Sequence, residues 1–422
     1  MKIAIISMGK SEDKFPMLEH CCYGYSKKKM FHAEIVLFYF ALKKAGLSPE
    51  FFDGNLTGEE EILKKLEKNL PEKIIYYVYT PSIREKTNFM KKLSKISKLY
   101  LVIAPFFWKE KILKEFPFVE DVFYDGEKGM KISVEDSEIN YEEIDINPYL
   151  TEAPFPIVVS KYCPYQCTYC NARKTGLMDR NLDVIKKELK YLKKRGVKRI
   201  RLCGNNLNIN EDRFLKICEM MKELQLEWSG DGRIDRMTDR MYSALKESKG
   251  VLLFGVESAT QEVLDKMDKR LTIQQIIDNA KKFNEMKIPF RYTFMFGFPW
   301  DSHETSKDMV DLKKKVGALN YHCNFLAAYP GTPIFEEMKK LNLVNEAELN
   351  FEDFSSSKLP LAPTLHLTKE EVSELVKKIM ISGALSKSVI KNLLKTRKVT
   401  EYPKIISRGL KLVLYGKRTW KE

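Results

Sequence analysis

Short apolar runs alternate with amphipathic stretches over the first 127 residues. The runs are rich in β-branched and aromatic residues and predict strands, whereas the stretches between them have the three-and-four spacing of helices. Such alternation predicts a doubly wound parallel sheet with helices on its faces. The predicted strands are 2–7, 50–53, 73–80, 99–106 and 121–124, and the predicted helices lie at about 30–45, 58–69, 84–97 and 109–115. Thr57 and Glu60 predict a capping box at the start of the second helix.

The character of the chain changes over residues 128–153, where acidic residues accumulate and no basic residue follows Lys131. This stretch ends near the turn-forming pair Asn147 and Pro148. We interpret 128–153 as an acidic linker and place a domain boundary there, so that residues 1–127 form a first domain.

From residue 154 the alternation resumes with wider spacing, and Asn181 and Gly196 predict the start and end of one of the helices. Six β/α units in this length predict a partial (β/α)6 barrel over residues 154–345, whose ligands would gather at the carboxyl ends of the strands. The predicted strands are 156–160, 198–203, 227–231, 251–257, 290–297 and 321–328.

Residues 346–422 are predicted to be helical and become increasingly basic. The whole chain has a formal charge of +14, and residues 387–422 hold eleven Lys and Arg against two Glu. Three interpretations remain open: a helix packed on the barrel with a solvated basic face, an interfacial helix on anionic lipid, and a surface for RNA. A lipid or lipid-linked substrate is the second choice, because apolar residues separate the charges and no nucleic-acid motif accompanies them.

Composition narrows the class of protein. Hydrophobic residues make up 44% of the chain and charged residues 31%, which excludes a disordered or collagenous chain. The longest apolar run, 35–42, is far shorter than the roughly 20 residues that cross a bilayer. The amino terminus resembles a strand more than a signal peptide, so we expect a cytoplasmic protein that could associate with a membrane through its basic end.

Three of the eight cysteines lie within one short segment, at Cys163, Cys167 and Cys170, directly after a predicted strand. A structural zinc site needs four ligands, and no fourth Cys or His lies near in sequence. A four-iron cluster held by three cysteines would keep one iron open for a substrate or cofactor. A zinc site completed by a distant residue, or three unrelated buried thiols, is the alternative.

The cysteine spacing, with the aromatic Tyr169 before the last cysteine, resembles the fingerprint of the radical S-adenosylmethionine (SAM) superfamily. The resemblance implies that Cys163, Cys167 and Cys170 hold a [4Fe-4S] cluster, with the Tyr169 backbone near the adenine of SAM. In that family the open iron chelates SAM, and an electron from the cluster cleaves it to a 5′-deoxyadenosyl radical. It also implies an external reductant, such as flavodoxin or ferredoxin.

Four further segments stand in the order of the subgroup that joins a cobalamin-binding domain to the radical SAM core: 255–258, 266–270, 295–299 and 329–333. The resemblance covers roughly 154–345 and implies cofactor contacts at several other positions. Asn205 and Asn206 could instead form a turn, since the acidic residue usual there is missing. Arg233 or Asp235 could instead form an ion pair within the barrel. The implied contacts are Gly204, Asn205, Arg233, Glu257, Ser258, Gly297 and Ala328.

The first domain is similar to the cobalamin-binding fold of this subgroup, although the usual Asp-x-His-x-x-Gly motif does not occur. His20 is the histidine that the sequence offers as a candidate axial ligand of cobalt. With cobalamin, the resemblance implies methyl transfer to an unactivated carbon of an unknown substrate. Without it, the radical could drive rearrangement, cyclisation, epimerisation or dehydrogenation. A hypothesis of another class is a non-catalytic metal-binding module that acts through its basic tail.

Overall fold

The structure is a computed structural model that describes residues 2–8, 31–104, 108–124, 134–161, 163–171, 178–317, 320–354 and 360–384. Two parallel sheets, each covered by helices, organise these residues. The predicted α/β class is confirmed.

The first sheet has the strand order β2-β1-β3-β4-β5, and all of its neighbouring strands pair in parallel. This order reverses between β1 and β3, the position at which doubly wound sheets bind ligands. Its strands are β1 (Lys2–Ser7), β2 (Ser48–Asp53), β3 (Lys73–Tyr79), β4 (Lys98–Ala104) and β5 (Asp121–Tyr124), and its helices are α1 (Ala33–Lys44), α2 (Glu59–Asn69), α3 (Thr87–Ile96) and α4 (Lys109–Glu115).

The predicted capping box at Thr57 and Glu60 is wrong. The N–H groups of Leu56 and Thr57 both donate to the Asp53 carbonyl, at 3.0 and 2.8 Å, so Thr57 belongs to the turn that follows β2. Gly58 is therefore the residue that precedes α2, and no side chain caps this helix.

The second sheet runs in chain order from β6 to β11 with parallel pairing throughout, which confirms the partial barrel. Asn181 caps α5 by accepting a hydrogen bond from the Asp183 N–H, as predicted. The strands are β6 (Phe155–Val158), β7 (Arg199–Cys203), β8 (Glu227–Gly232), β9 (Gly250–Glu257), β10 (Phe290–Phe296) and β11 (Asn320–Phe325), and the helices are α5 (Leu182–Lys194), α6 (Glu211–Glu223), α7 (Asp239–Glu247), α8 (Gln261–Lys266), α9 (Ile273–Glu285), α10 (His303–Val316) and α11 (Pro333–Lys340).

Three strands of this sheet end earlier than the sequence predicted, at Val158 instead of 160, at Phe296 instead of 297 and at Phe325 instead of 328. Val158 pairs with Cys203, the last residue of β7, and Phe325 pairs with Phe296, the last residue of β10. The residues beyond these pairs have no neighbouring strand, so the chain is free to form the loops of the site.

The described part of the predicted acidic linker, 134–153, packs against the second sheet. Ile139 and Tyr141 are buried, and the Ile139 N–H donates to the Glu188 carboxylate at 2.8 Å. Glu188 also forms a fully buried ion pair with Arg180, which donates to the Ser137 carbonyl at 2.6 Å. Paired and hydrogen-bonded charges of this kind fix the connection in one position.

A short segment after the barrel, Phe351–Phe354, contacts both the first domain and the barrel and is called the strap below. On the first domain, Trp108 lies edge-on to Phe354, with 5.6 Å between ring centroids, and Arg84 pairs with Glu352 at 3.3 Å. On the barrel side, Phe354 stacks on Tyr329 at 6.2 Å.

The last described helix is α12 (Lys369–Ala384), which contacts α10 and β11. The predicted basic tail from residue 385 onward lies outside the described residues. Within the described part of the chain, no helix combines the length and apolar character needed to span a bilayer.

Candidate functional site

The three clustered cysteines lie on the loop that follows β6, at the edge of the second sheet where the carboxyl ends of its strands meet. None of the three forms a disulfide, and Cys167 is buried whereas Cys163 and Cys170 are half-buried. The Cys170 N–H donates to the Cys167 carbonyl at 3.1 Å, which closes a turn between the second and third cysteine.

The residues present fit an iron–sulfur cluster by their donor set. Three thiols can hold a four-iron cluster and leave its fourth iron open for another ligand, and this loop supplies three thiols. Among the described residues, no three His, Cys, Asp or Glu side chains are close enough together to hold a single metal ion, so the fit rests on the donor type and the position of the loop.

The cysteine loop is fastened to the barrel by its backbone at Thr168. The Thr168 N–H donates to the Met267 carbonyl at 3.0 Å, and the Thr168 carbonyl accepts from the Ile334 N–H at 3.2 Å. The first bond joins the loop to the segment between α8 and α9, and the second joins it to the start of α11. The protein itself therefore holds the loop on two sides.

Arg233, directly after β8, lies beneath the same loop. Its guanidinium carbon is 3.8 Å from the centroid of the Tyr165 ring, which stands between Cys163 and Cys167. The group also forms a fork with Asp235, at 3.0 and 3.2 Å, so the predicted alternative of an ion pair is confirmed. Its Nη2 donates further to the carbonyls of Lys269 and Arg270, at 2.8 and 3.1 Å.

Glu257, the last residue of β9, joins Tyr169 and Lys269 in a buried polar group. Its Oε1 accepts from the Tyr169 hydroxyl and from the Lys269 ammonium, each at 3.3 Å, and the Lys269 ammonium also donates to the Tyr169 oxygen at 3.1 Å. Within the described part of the chain, no donor lies on Glu257 Oε2, so that oxygen can receive a ligand hydroxyl.

Backbone geometry explains how Glu257 reaches this position. Its φ of +70° is in the left-handed region, which turns the side chain back over its own strand. A Cβ on Gly255 would lie 2.4 Å from Glu257 Oε1 and 3.4 Å from Lys269 Nζ. Glycine at position 255 is therefore what makes room for the carboxylate.

Asn206, on the loop that follows β7, contacts the cysteine loop directly: its Nδ2 lies 3.3 Å from Cys163 Sγ. The neighbouring Gly204 leaves space for Ser160, since a Cβ there would lie 2.4 Å from the Ser160 hydroxyl. Asn205 is half-buried and makes no hydrogen bond to another described residue. Its assignment to SAM, like that of Gly204, stays a prediction.

The remaining predicted positions follow β9, β10 and β11 at the same edge. Gly297 has a φ of +109° and donates its N–H to Asp301, and the adjacent Phe298 packs edge-on to Tyr169 at 5.7 Å. Ser258 is buried, and its hydroxyl accepts from the Thr260 N–H. Ala328 is fully buried. Cofactor contacts at Gly297, Ser258 and Ala328 stay predictions.

Burial controls the protonation of the site. It raises the pKa of the Cys167 thiol, although Lys269 and Arg233 oppose this, so iron must displace a proton there. Burial, with the nearby Glu257 carboxylate, also raises the pKa of Tyr169 well above its ordinary value. The Tyr169 hydroxyl therefore remains a hydrogen-bond donor to Glu257.

A second group of polar residues lies at the carboxyl edge of the first sheet, where the strand order reverses. Asp53 accepts from the Ser7 hydroxyl at 3.3 Å and from the Tyr149 hydroxyl at 2.6 Å. The His32 ring lies near Tyr77 and Tyr79 of β3, with 6.2 Å between ring centroids in each case, and burial lowers the pKa of its imidazole. The neutral ring is the form that binds metals. His20, the predicted axial ligand, lies outside the described residues.

Sequence reasoning did not assign roles to Lys269, Tyr165 or Asn208. Lys269 stands in the segment 266–270, but its partner Tyr169 is 100 residues away in sequence. Asn208 is fully buried and holds the Arg233 backbone from both sides, with its Nδ2 on the carbonyl and its Oδ1 on the N–H. From the sequence, an asparagine that holds the backbone of another loop cannot be distinguished from one that forms a turn.

Comparison with known families agrees with this geometry. Residues 157–312, from β6 into α10, match the Radical SAM superfamily. The chain contains a radical SAM domain. The resemblance suggested by the cysteine spacing is thereby confirmed, and the domain begins at the strand that carries the cysteine loop.

Curated relatives of the chain include methyltransferases. An uncharacterised methyltransferase of Pyrococcus horikoshii is 26% identical over 260 residues, which are 60% of this chain and 56% of the relative. The bacteriochlorophyllide d C-12(1)-methyltransferase of Chlorobaculum tepidum is 26% identical over 44% of this chain and 42% of its own. The chain thus spans about half the length of these relatives.

Solved structures with the same fold cover both sheets. The cobalamin-dependent SAM radical enzyme OxsB, with aqua-cobalamin and SAM bound, covers 96% of this chain and 70% of its own, with a TM-score of 0.70 and 14% identity. The radical SAM methyltransferase TsrM of Kitasatospora setae covers 81% and 75%, with a TM-score of 0.61 and 12% identity. This likeness confirms the predicted arrangement of a Rossmann-like domain before the radical SAM domain.

Proposed function

We propose that this protein is a cobalamin-dependent radical SAM methyltransferase that methylates an unactivated carbon. The observation that carries the proposal is the loop of three cysteines at the carboxyl end of β6, beside the half-buried Tyr169 and the buried Glu257 and Lys269. Curated methyltransferase relatives and a fold shared with the methyltransferase TsrM support methyl transfer over other radical reactions. The fold shared with OxsB, which is cobalamin-dependent, supports cobalamin binding.

The residues of the radical SAM domain would divide the work as follows. Cys163, Cys167 and Cys170 would hold the cluster, and Glu257 would bind a ribose hydroxyl of SAM through its unpartnered Oε2. When bound, the cluster supplies the electron that cleaves the sulfonium of SAM, which a low-potential reductant must replace. Arg233 and the backbone of Thr168 keep the cysteine loop in place.

The corrinoid would bind at the carboxyl edge of the first sheet, where the order β2-β1-β3 places Ser7, Asp53 and His32. Ligands of doubly wound sheets bind at this position, outside the carboxyl ends of the strands. When bound, cobalamin supplies the methyl group. Asp53 already accepts from Ser7 and Tyr149, so it shapes the edge of the site rather than contacting cobalt.

The test uses full-length protein reconstituted anaerobically with iron, sulfide and a corrinoid. We expect about four irons per chain, bound corrinoid, and formation of both 5′-deoxyadenosine and S-adenosylhomocysteine after addition of dithionite and SAM. Cys167→Ala should lose iron and both products. Cys218→Ala, a buried cysteine of α6 away from the loop, is the matched control and should retain them.

Other outcomes would distinguish the remaining alternatives. Formation of 5′-deoxyadenosine without corrinoid binding or S-adenosylhomocysteine would contradict methyl transfer and favour a cobalamin-independent rearrangement, cyclisation, epimerisation or dehydrogenation. Protein that holds zinc and leaves SAM intact would overturn the enzymatic proposal and favour a metal-binding module.

A further inference from the structure

We propose that Asn206 is a positioning residue that raises the reduction potential of the cluster through an N–H···S hydrogen bond to Cys163. The inference rests on the cluster of the proposed function but not on the reaction that follows. It begins from the 3.3 Å distance between Asn206 Nδ2 and Cys163 Sγ.

The chemistry of a ligating sulfur determines which end of the carboxamide faces it. A cysteine bound to iron has lost its proton, so its sulfur can only accept. The amide nitrogen of Asn206, and not its oxygen, must therefore point to Cys163. The arrangement in the structure is already the one that a bound cluster requires.

The loop that carries Asn206 is fixed on β8 and cannot easily turn away. The Leu207 N–H donates to the Asp231 carbonyl at 2.9 Å, and the Asn208 carboxamide bonds to both backbone groups of Arg233, at 2.7 and 2.9 Å. Gly232 permits this approach, since a Cβ there would lie 2.9 Å from Asn208 Oδ1. Asn206 is thus followed by two residues that are anchored to β8 and to the residue directly after it.

Cys163 is anchored from the other side. The Val159 N–H donates to the Cys203 carbonyl at 2.8 Å, and the Lys161 N–H donates to the Met178 carbonyl at 2.8 Å. Gly204 lies against Ser160. Donor and acceptor of the N–H···S bond are therefore held by adjoining strands, and the bond adds little ordering cost when the cluster binds.

Electrostatics makes this bond influential. Reduction of the cluster takes one electron from an external donor and breaks no bond, and the added negative charge spreads onto the sulfurs. An N–H donor stabilises the reduced form more than the oxidised form. The cations of Arg233 and Lys269 are each paired with a carboxylate, Asp235 and Glu257, which offsets their effect.

The test is a potentiometric titration of the reconstituted full-length protein, followed by the electron paramagnetic resonance signal of the reduced cluster, without SAM or corrinoid. We expect Asn206→Leu and Asn206→Ala each to lower the reduction potential by about 59 mV, which is a tenfold shift in the one-electron equilibrium. Asn205→Leu changes the adjacent asparagine, which makes no hydrogen bond to a described cysteine, and should leave the potential unchanged.

Three results would overturn the inference: equal potentials in wild type and both Asn206 variants, an equal shift in Asn205→Leu, or loss of iron from both Asn206 variants, which would make the residue purely structural. Because the titration contains no SAM, its outcome is independent of whether the enzyme transfers a methyl group. A wild-type protein with a normal potential but no S-adenosylhomocysteine would contradict the proposed function alone.

Discussion

The ammonium group of Lys269 lies 3.3 Å from Glu257 Oε1, and both side chains are about nine-tenths buried. The pair joins the segment after α8 to the end of β9, at the edge of the sheet that carries the cysteine loop. A buried carboxylate that loses its cation keeps the cost of leaving water without the compensating attraction.

The first prediction concerns the free energy of unfolding of the protein without cofactors. Lys269→Met should lower it by about 3 kcal/mol, because Glu257 is left buried and unpaired. Adding Glu257→Gln should recover part of that loss, since the amide carries no charge. Urea unfolding of the two single variants and the double variant measures the coupling.

Lys266→Met is the matched control for this cycle. Lys266 stands three residues earlier and pairs with Glu262 on the surface of α8, where both side chains are exposed. Exposed pairs of this kind contribute about 0.5 kcal/mol or less. Equal losses in Lys269→Met and Lys266→Met would show that the buried pair has no special weight.

A second prediction concerns Arg233, whose planar group makes contacts that an ammonium cannot reproduce. Arg233→Lys loses the fork with Asp235 and the stacking on Tyr165, so we expect about 2 kcal/mol lower stability. We also expect faster removal of iron by a chelator, because the segment between Cys163 and Cys167 loses its support. Iron retention over time is the measurement.

Arg199→Lys provides the comparison for Arg233. Arg199 begins β7 and pairs with Glu227 on the surface, with just over half of its side chain exposed. This variant should release iron at the wild-type rate. If Arg233→Lys retained iron equally well, the stacking on Tyr165 would have no role in holding the loop.

A third prediction follows from two buried ionisable groups below α12. Burial raises the pKa of Asp301 to about 7, and burial lowers the pKa of Lys313 to about 7. Between pH 4 and 7 the folded protein binds a proton at Asp301 that the unfolded chain has released, so stability falls as pH rises. Above pH 7 the unfolded chain binds a proton at Lys313 that the folded protein has released, so stability rises again.

Together these two groups produce a minimum of stability near pH 7. Each group causes one of the two slopes, so a substitution of that group alone should remove that slope. Asp301→Asn should flatten the dependence of stability on pH between pH 4 and 7. The stability lost over this range is about 4 kcal/mol, since each unit of pKa shift corresponds to about 1.36 kcal/mol. Its amide oxygen can still accept from Gly297 and Phe298. Lys313→Met should flatten the slope above pH 7, and denaturant unfolding across the pH range measures both. An unchanged acid slope in Asp301→Asn would contradict the assignment.

Strands such as β1, β3 and β4 were predictable because helices cover the sheet, so these strands form nearly continuous apolar runs. β1 and β5 begin and end at the predicted residues. Errors arose where the end of a neighbouring strand decides the boundary, as at Val158 and Phe325. The false capping box at Thr57 has a similar origin, since the turn after β2 takes up that residue.

The cysteine loop was predictable because its three residues are close in sequence and their spacing is specific. The contacts that shape the site were not, because they join distant parts of the chain. Lys269 and Tyr169 are 100 residues apart, and Asn206 and Cys163 are 43 apart. Each of these residues has an ordinary surface or turn interpretation until the strands are arranged in space.

The strap has a consequence for how this architecture can be inherited. Phe354 touches Trp108 of the first domain and Tyr329 of the barrel, while Arg84 reaches Glu352. Recombination that replaced the first domain by one from another protein would leave these aromatic and charged groups without their partners. We therefore expect substitutions at Trp108 and Arg84 to be accompanied by changes at 351–354, so that two segments far apart in the gene evolve as a single unit.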